Sequence, residues 1–285
     1  MKTKCIILGV IAAAAIGLIL NSCKKDNLIP TTPTQVTPTT NANASKSATE
    51  SATTDEAFTD AFHQVDVAAK ENTLKKKTDS TACPVVTITP FDLTTYPKNM
   101  IIDFGSSCTG PDGIVRSGQI LANLTNCYID SGSVTTITFN NYYVNGNKIT
   151  GTEIITNEGR NSLGQPVFGV QVQNGNLYSS NGVTTYNSVQ QRTWIQGYNT
   201  PLNPMDDVYS ITGTANGVTA GGTSYSIVIT SPLQVALDCA WVESGTITIT
   251  EPNTPVITIS YGNGTGTCVN TATVSCDGYT FVITL

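Results

Sequence analysis

The chain has 285 residues, of which only 12% are charged, with 14 Lys or Arg against 20 Asp or Glu and a formal net charge of −6. From Cys83 onward five Lys or Arg face twelve Asp or Glu, which excludes a nucleic-acid footprint. The one histidine, His63, rules against a histidine-based triad and leaves no multi-histidine metal site.

The N-terminus reads as a secretory signal over residues 1–22. Lys2 and Lys4 supply the positive start, and the apolar run from Cys5 to Leu20 falls short of the ~20 residues that a spanning helix needs. The run ends in Leu20-Asn21-Ser22-Cys23, followed at once by Lys24, Lys25 and Asp26.

Leu-Asn-Ser-Cys resembles the lipobox of bacterial lipoproteins, and the Lys-Lys-Asp that follows is similar to the export stretch of Bacteroidota-type outer-membrane lipoproteins. The resemblance covers about the first 26 residues. It implies cleavage before Cys23, a diacylglyceryl group on its thiol and an acyl chain (palmitate or similar) on its amine. At about 0.8 kcal/mol per buried methylene, several chains would hold the protein on a membrane. The implied location is the outer membrane, with the cell surface favoured over the periplasmic face.

Residues 23–54 then read as a disordered tether of Thr, Pro, Ser, Asn and Ala, with Pro30, Pro33 and Pro38 and almost no large apolar side chain. Residues 55–79 read as one short amphipathic helix. Thr53 and Glu56 have the spacing of a capping box, and Phe58, Phe62, Val65 and Ala69 recur at helical intervals. His63 is expected as a solvated residue of that helix, whose apolar face is expected to dock on the domain that follows. Asp79-Ser80-Thr81 resembles the short O-glycosylation signal of Bacteroidota-type envelope proteins, with Ser80 as the acceptor.

Residues 80–285 have the texture of an all-β domain: short runs rich in Val, Ile, Thr, Tyr and Phe, alternating with period two and broken by Gly, Asn, Asp or Pro. The expectation is an antiparallel β-sandwich or one large twisted antiparallel sheet. Turn dipeptides are read at Asn145-Gly146, Asn174-Gly175, Asn181-Gly182, Asn216-Gly217 and Asp277-Gly278. A weak internal echo places a cysteine, two strands, an aromatic-Gly pair and a second cysteine at both Cys83–Cys108 and Cys239–Cys268. Ser-Gly-x-Ile recurs from Ser117 and Ser244, and Ile-Thr-Gly-Thr from Ile149 and Ile211. Glycines inside strands mark bulges or sites where an aromatic lies on the backbone, and Trp194 and Trp241 are the aromatics expected there.

Six cysteines follow the lipobox, an even number that suits an oxidising compartment. The echo pairs Cys83 with Cys108 and Cys239 with Cys268, leaving Cys127 and Cys276 to pair with each other. Asp206-Asp207, with Asn203 and nearby carbonyls, are the candidate Ca2+ ligands, against the alternative of a turn leading into a strand at Val208. Tyr142, Tyr143, Trp194 and Tyr198 are candidates to stack on sugar rings, unless they are core.

The function expected from these features is a lipid-anchored envelope protein whose noncatalytic β-domain is adhesive, glycan-binding or structural. Its partners would be the membrane, through the anchor, and a glycan or another envelope protein. A carboxylate- or metal-dependent glycan hydrolase is the first alternative and calls for two acids about 5 to 9 Å apart across a cleft. An accessory subunit of an outer-membrane assembly is the second and calls for a large exposed apolar patch.

Overall fold

The structure, a computed structural model, describes residues 38–74, 83–262 and 267–285. Cys23, the signal segment, Lys75 to Lys77 and Ser80 lie outside the described residues. The described residues all belong to one unit, Thr37–Leu285.

One helix, α1 (Pro38–Leu74), precedes fourteen strands. These are β1 (Val85–Thr89), β2 (Lys98–Asp103), β3 (Cys108–Thr109), β4 (Val115–Leu124), β5 (Val134–Val144), β6 (Asn147–Arg160) and β7 (Pro166–Ser179). They continue with β8 (Gly182–Gln196), β9 (Val208–Val218), β10 (Ser224–Ala236), β11 (Ser244–Thr250), β12 (Ile257–Tyr261), β13 (Thr271–Cys276) and β14 (Tyr279–Thr284). Every pairing is antiparallel, and the strands form one open sheet in chain order, with β3 added beside β4. The all-β expectation is met in its single-sheet form: among the described residues all strands belong to one sheet.

The sheet is curled around α1. The helix touches β2 and β4 near one end of the strand order, β6, β7 and β8 in the middle, and β12, β13 and β14 at the other end. A flat sheet of this width cannot reach one helix from so many strands. Alternation sets the two faces: Ile247, Ile249, Ile257, Ile259 and Val274 are buried on the concave side. Between them, Thr248, Thr258, Ser275 and Thr280 form a cross-strand row on the other side.

Curling needs local breaks in the ladder, and the repeated glycine strings supply them. Gly118 (φ +78°) and Gly245 (φ +113°) both interrupt the register of their strands, at Ser117/Gln119 and opposite Ser231/Gln234. A Cβ at Gly118 would lie 1.9 Å from the Asn141 carbonyl oxygen, and one at Gly245 would lie 2.5 Å from that of Pro232. The Ile-Thr-Gly-Thr strings behave alike, with Gly151 and Gly213 in the same positive-φ region. The aromatics found against strand glycines are Phe58 of α1, 2.8 Å from the Cβ position of Gly175, and Tyr225, whose hydroxyl is 2.8 Å from that of Gly217, and not Trp194 or Trp241.

Three of the five expected turn dipeptides close hairpins: Asn145-Gly146 joins β5 to β6, Asn181-Gly182 ends the β7–β8 turn and Asp277-Gly278 joins β13 to β14. The other two lie inside strands. Asn174 (φ +53°) sits in a bulge of β7, and Asn216-Gly217 of β9 pairs with both β8 and β10.

The helix differs from expectation in length and in kind. It starts at Pro38, so residues 38–54 are not tether, and Thr53 and Glu56 lie in mid-helix, where Thr54 Oγ1 donates to the Glu50 carbonyl at 2.7 Å. Proline is well placed in a first helical turn. Ala44, Ala48 and Ala52 then recur every fourth residue and are buried, so this Ser/Thr-rich stretch gains its stability from packing rather than propensity. The helix is also not one-sided. Asp60, Asp66 and Lys70 are as buried as Phe58 and Phe62, because strands cover it on several sides.

Candidate ligand cavity

Burying a polar helix requires partners from the sheet, and α1 finds them on several strands. Asp55 accepts from Gln190 Nε2 at 2.9 Å and from the Tyr186 hydroxyl. Glu50 Oε2 accepts from the Ala220 amide at 3.0 Å. Lys70, 1% exposed, donates to Asp66 and to Asp207 at 2.8 Å each and to the Tyr209 hydroxyl at 2.9 Å. Its ammonium also lies 3.4 Å from the centre of the Trp194 ring.

Asp60 anchors a second cluster. The Arg116 Nε donates to both Asp60 oxygens at 3.0 Å, its Nη2 also reaches Asp60, and its Nη1 donates to Asp112 at 3.1 Å. The Tyr142 hydroxyl donates to Asp60 Oδ2 at 2.8 Å. Burial, with Asp60 next in importance, pushes the Tyr142 phenol well above its usual range.

This cluster forms part of the wall of a cavity of about 730 Å³, within the size range of small-molecule sites. One face of α1 lines it, with Glu56, Ala57, Asp60, His63, Gln64 and Ala68 at helical spacing. The lining away from α1 includes the apolar Val86, Ile102, Phe104, Val144, Val235 and Val242, with Trp241 and Leu285. Both disulfide-bearing regions reach it, through Cys83, Cys108 and Cys239.

Two polar atoms of these lining residues, Glu56 Oε1 and His63 Nε2, are buried without a hydrogen-bond partner among the described residues. Burial, and then the charge of Asp55, pushes the Glu56 carboxyl up to about 8. Burial lowers the His63 imidazole well below its usual value, and Arg192, Arg116 and Lys70 add to the effect. His63 is therefore a neutral ring in the cavity wall, not the solvated residue expected.

Other expected site residues fall elsewhere. Trp194 and Tyr142 are core, at 2% and 0% exposure; Tyr143 and Tyr198 are half-buried, and Tyr198 packs edge-on to Trp194. No exposed stacking platform is formed by these four. Asp206 and Asp207 diverge: Asp206 is exposed and accepts from Thr200 Oγ1 at 2.8 Å, while Asp207 turns inward to Lys70. Burial raises Asp207 to about 6 against the pull of Lys70. The pair holds no shared calcium shell, and among the described residues no group of three or more His, Cys, Asp or Glu is placed to hold a metal ion.

The two disulfides expected from the echo are formed, Cys83–Cys108 and Cys239–Cys268, with Cα separations of 5.8 and 5.5 Å. The third is not. Cys127 and Cys276 are both free, the latter buried in β13 with its sulfur toward the Pro255 carbonyl.

Sequence reading missed Glu56, Asp60 and Arg116 as a group. The available signal was the run of acids Glu50, Asp55, Glu56, Asp60, Asp66 and Glu71 along a helix that also carries Phe58 and Phe62, combined with very few cations in the β-domain.

No family model matches the chain, and no curated protein and no solved structure is similar to it at a significant level. Among the described residues no helix is long and apolar enough to cross a membrane.

Proposed function

We propose that the protein is a noncatalytic binding module, lipid-anchored at Cys23 on the outer membrane, that holds a small amphipathic molecule in the cavity beside α1. The cavity is the observation that carries this reading. A space of about 730 Å³ with an apolar wall and a few converging polar groups has the make-up of a ligand site. The anchor and the location rest on Leu20 to Asp26 alone.

The glycan-hydrolase alternative is less well supported. Glu56, with its raised value of about 8, has the protonation of a general acid. Its neighbour in the cavity, Asp60, already accepts from Arg116 and Tyr142 through both oxygens, so it is not available as a base or nucleophile. The assembly-subunit alternative needs a large apolar surface. The exposed large apolar side chains instead are spread over many elements, for example Val85, Ile101, Val115, Val183, Val228 and Val282.

Native mass spectrometry of the full chain extracted from envelopes tests the binding reading. We expect one small molecule bound one-to-one, lost from Ala57→Trp, in which an indole fills the cavity. Equal masses and equal uptake of added 2-phenylethanol by both proteins would contradict it. Protease shaving of intact cells tests the location: release of the domain while a periplasmic control stays whole supports the surface, and protection until the outer membrane is broken places it on the inner face.

A further inference from the structure

We propose that the cavity ligand is an organic cation with an apolar body, an arylalkyl or alkyl amine in its simplest form, and that Glu56 receives its ammonium group. The proposal rests on the cavity reading above and adds the charge class of the ligand.

Among the described residues Arg116, Lys70 and Arg192 are the buried cations bonded to or carried by α1, and Arg192, with Nε and Nη1 unpartnered, does not line the cavity. Arg116 is shared by Asp60 and Asp112, and Lys70 by Asp66 and Asp207. Each of these two cations thus meets two carboxylates, and neither has a hydrogen bond left over for a ligand anion. Glu56 stands outside both sets. Glu56 lines the cavity, and its Oε1 has no hydrogen-bond partner among the described residues; that atom is covered in the empty cavity, so a rotation of the Glu56 side chain accompanies ligand binding. An unpaired buried acceptor carries a desolvation cost that a ligand donor would remove. A ligand carboxylate or phosphate would meet the opposite situation, with Asp60, Asp112 and Asp238 in the same wall and no unshared cation among the described lining residues.

The value of about 8 for Glu56 fits this role. At neutral pH the empty site holds a carboxylic acid. When an ammonium group arrives, the O–H bond breaks, the proton passes to solvent buffer, and the resulting carboxylate accepts from the N–H groups. No other bond changes. The neutral imidazole of His63, also unpartnered at Nε2, lies in the same wall two helical turns from Glu56 and offers a second acceptor. The hydrocarbon body would lie along Phe104, Ile102, Val144 and Val235, where displaced water is recovered as apolar burial.

The test compares three probes with the same aromatic body and different head groups: 2-phenylethylammonium, 2-phenylethanol and 3-phenylpropionate. Each is titrated calorimetrically into the full chain in lipid nanodiscs, with empty nanodiscs subtracted. The ammonium probe is expected to bind at least tenfold more tightly than the other two. Glu56→Gln is expected to erase that preference while leaving 2-phenylethanol binding within twofold. If the alcohol or the carboxylate binds as tightly as the ammonium in the wild-type chain, and Ala57→Trp blocks it, the cavity reading stands and the cation assignment is overturned. If none of the three binds, the cavity reading falls and this assignment with it. The wild-type comparison decides the matter even if a variant folds poorly.

Discussion

Lys70 concentrates much of the residue-scale energetics, since two aspartates, a tyrosine hydroxyl and an indole face converge on one buried ammonium. Removing one member of such a set leaves the others charged and dry. Lys70→Met is therefore expected to cost about 3–5 kcal/mol in urea unfolding, and adding Asp207→Asn should restore part of it. A loss below about 1 kcal/mol would mean that the aspartates are solvated. Glu153 carries a different cost. It is 0% exposed, neither oxygen has a hydrogen-bond partner among the described residues, and burial raises it to about 8, with Arg192 pulling the other way. Its folded-state value lies above the ordinary 4.5, so the folded protein keeps a proton that the unfolded chain releases. Stability should then fall as pH rises from about 4.5 to about 8, by up to about 1.4 kcal/mol per pH unit, and level off beyond. Glu153→Gln should flatten that slope and raise the urea midpoint at pH 8. Glu56 acts in the same direction, so part of the slope should remain.

At the scale of elements, the glycine strings and the hairpin cysteines explain how a sheet of this width closes on a helix. Gly118→Ala should be far more damaging than Gly146→Ala. Both have positive φ, worth about 1 kcal/mol or more to a non-glycine residue, but only at Gly118 does the new Cβ meet backbone. Equal midpoint shifts for the two variants would contradict the bulge account. Opening Cys239–Cys268, a loop of 29 residues, should cost roughly 3.5 kcal/mol in urea unfolding. Ten of the strands were legible as alternating β-branched runs. β8 and β9 were harder to read, because Gln, Asn, Arg and Gly occupy inward or bulged positions where the buried helix supplies polar partners, as Arg192 Nη2 does with Thr59 Oγ1 at 3.1 Å. The two correct disulfides were readable from the echo because each brackets a hairpin. The third pairing failed because elimination ignores geometry: Cys127 follows β4 and Cys276 ends β13, which are far apart in strand order.

At the scale of the whole molecule, a Ser/Thr-rich stretch read as tether proves to be the start of the core helix, and that helix decides both the curl of the sheet and the cavity. Composition could not reveal this, since small residues look alike in a linker and in a close helix contact; only the fourfold spacing of Ala44, Ala48 and Ala52 separates the two. The polar side chains on α1 were hidden for a related reason, because a helix enclosed by a sheet need not be amphipathic. α1 is the axis of the fold and not an appendage to it. Native-state hydrogen exchange on the full chain tests this most directly. Amides from Ala48 to Lys70 are expected to exchange as slowly as those of β6 to β9, through global unfolding alone. Exchange of those amides at the rate of a loop, with the strands still protected, would contradict it.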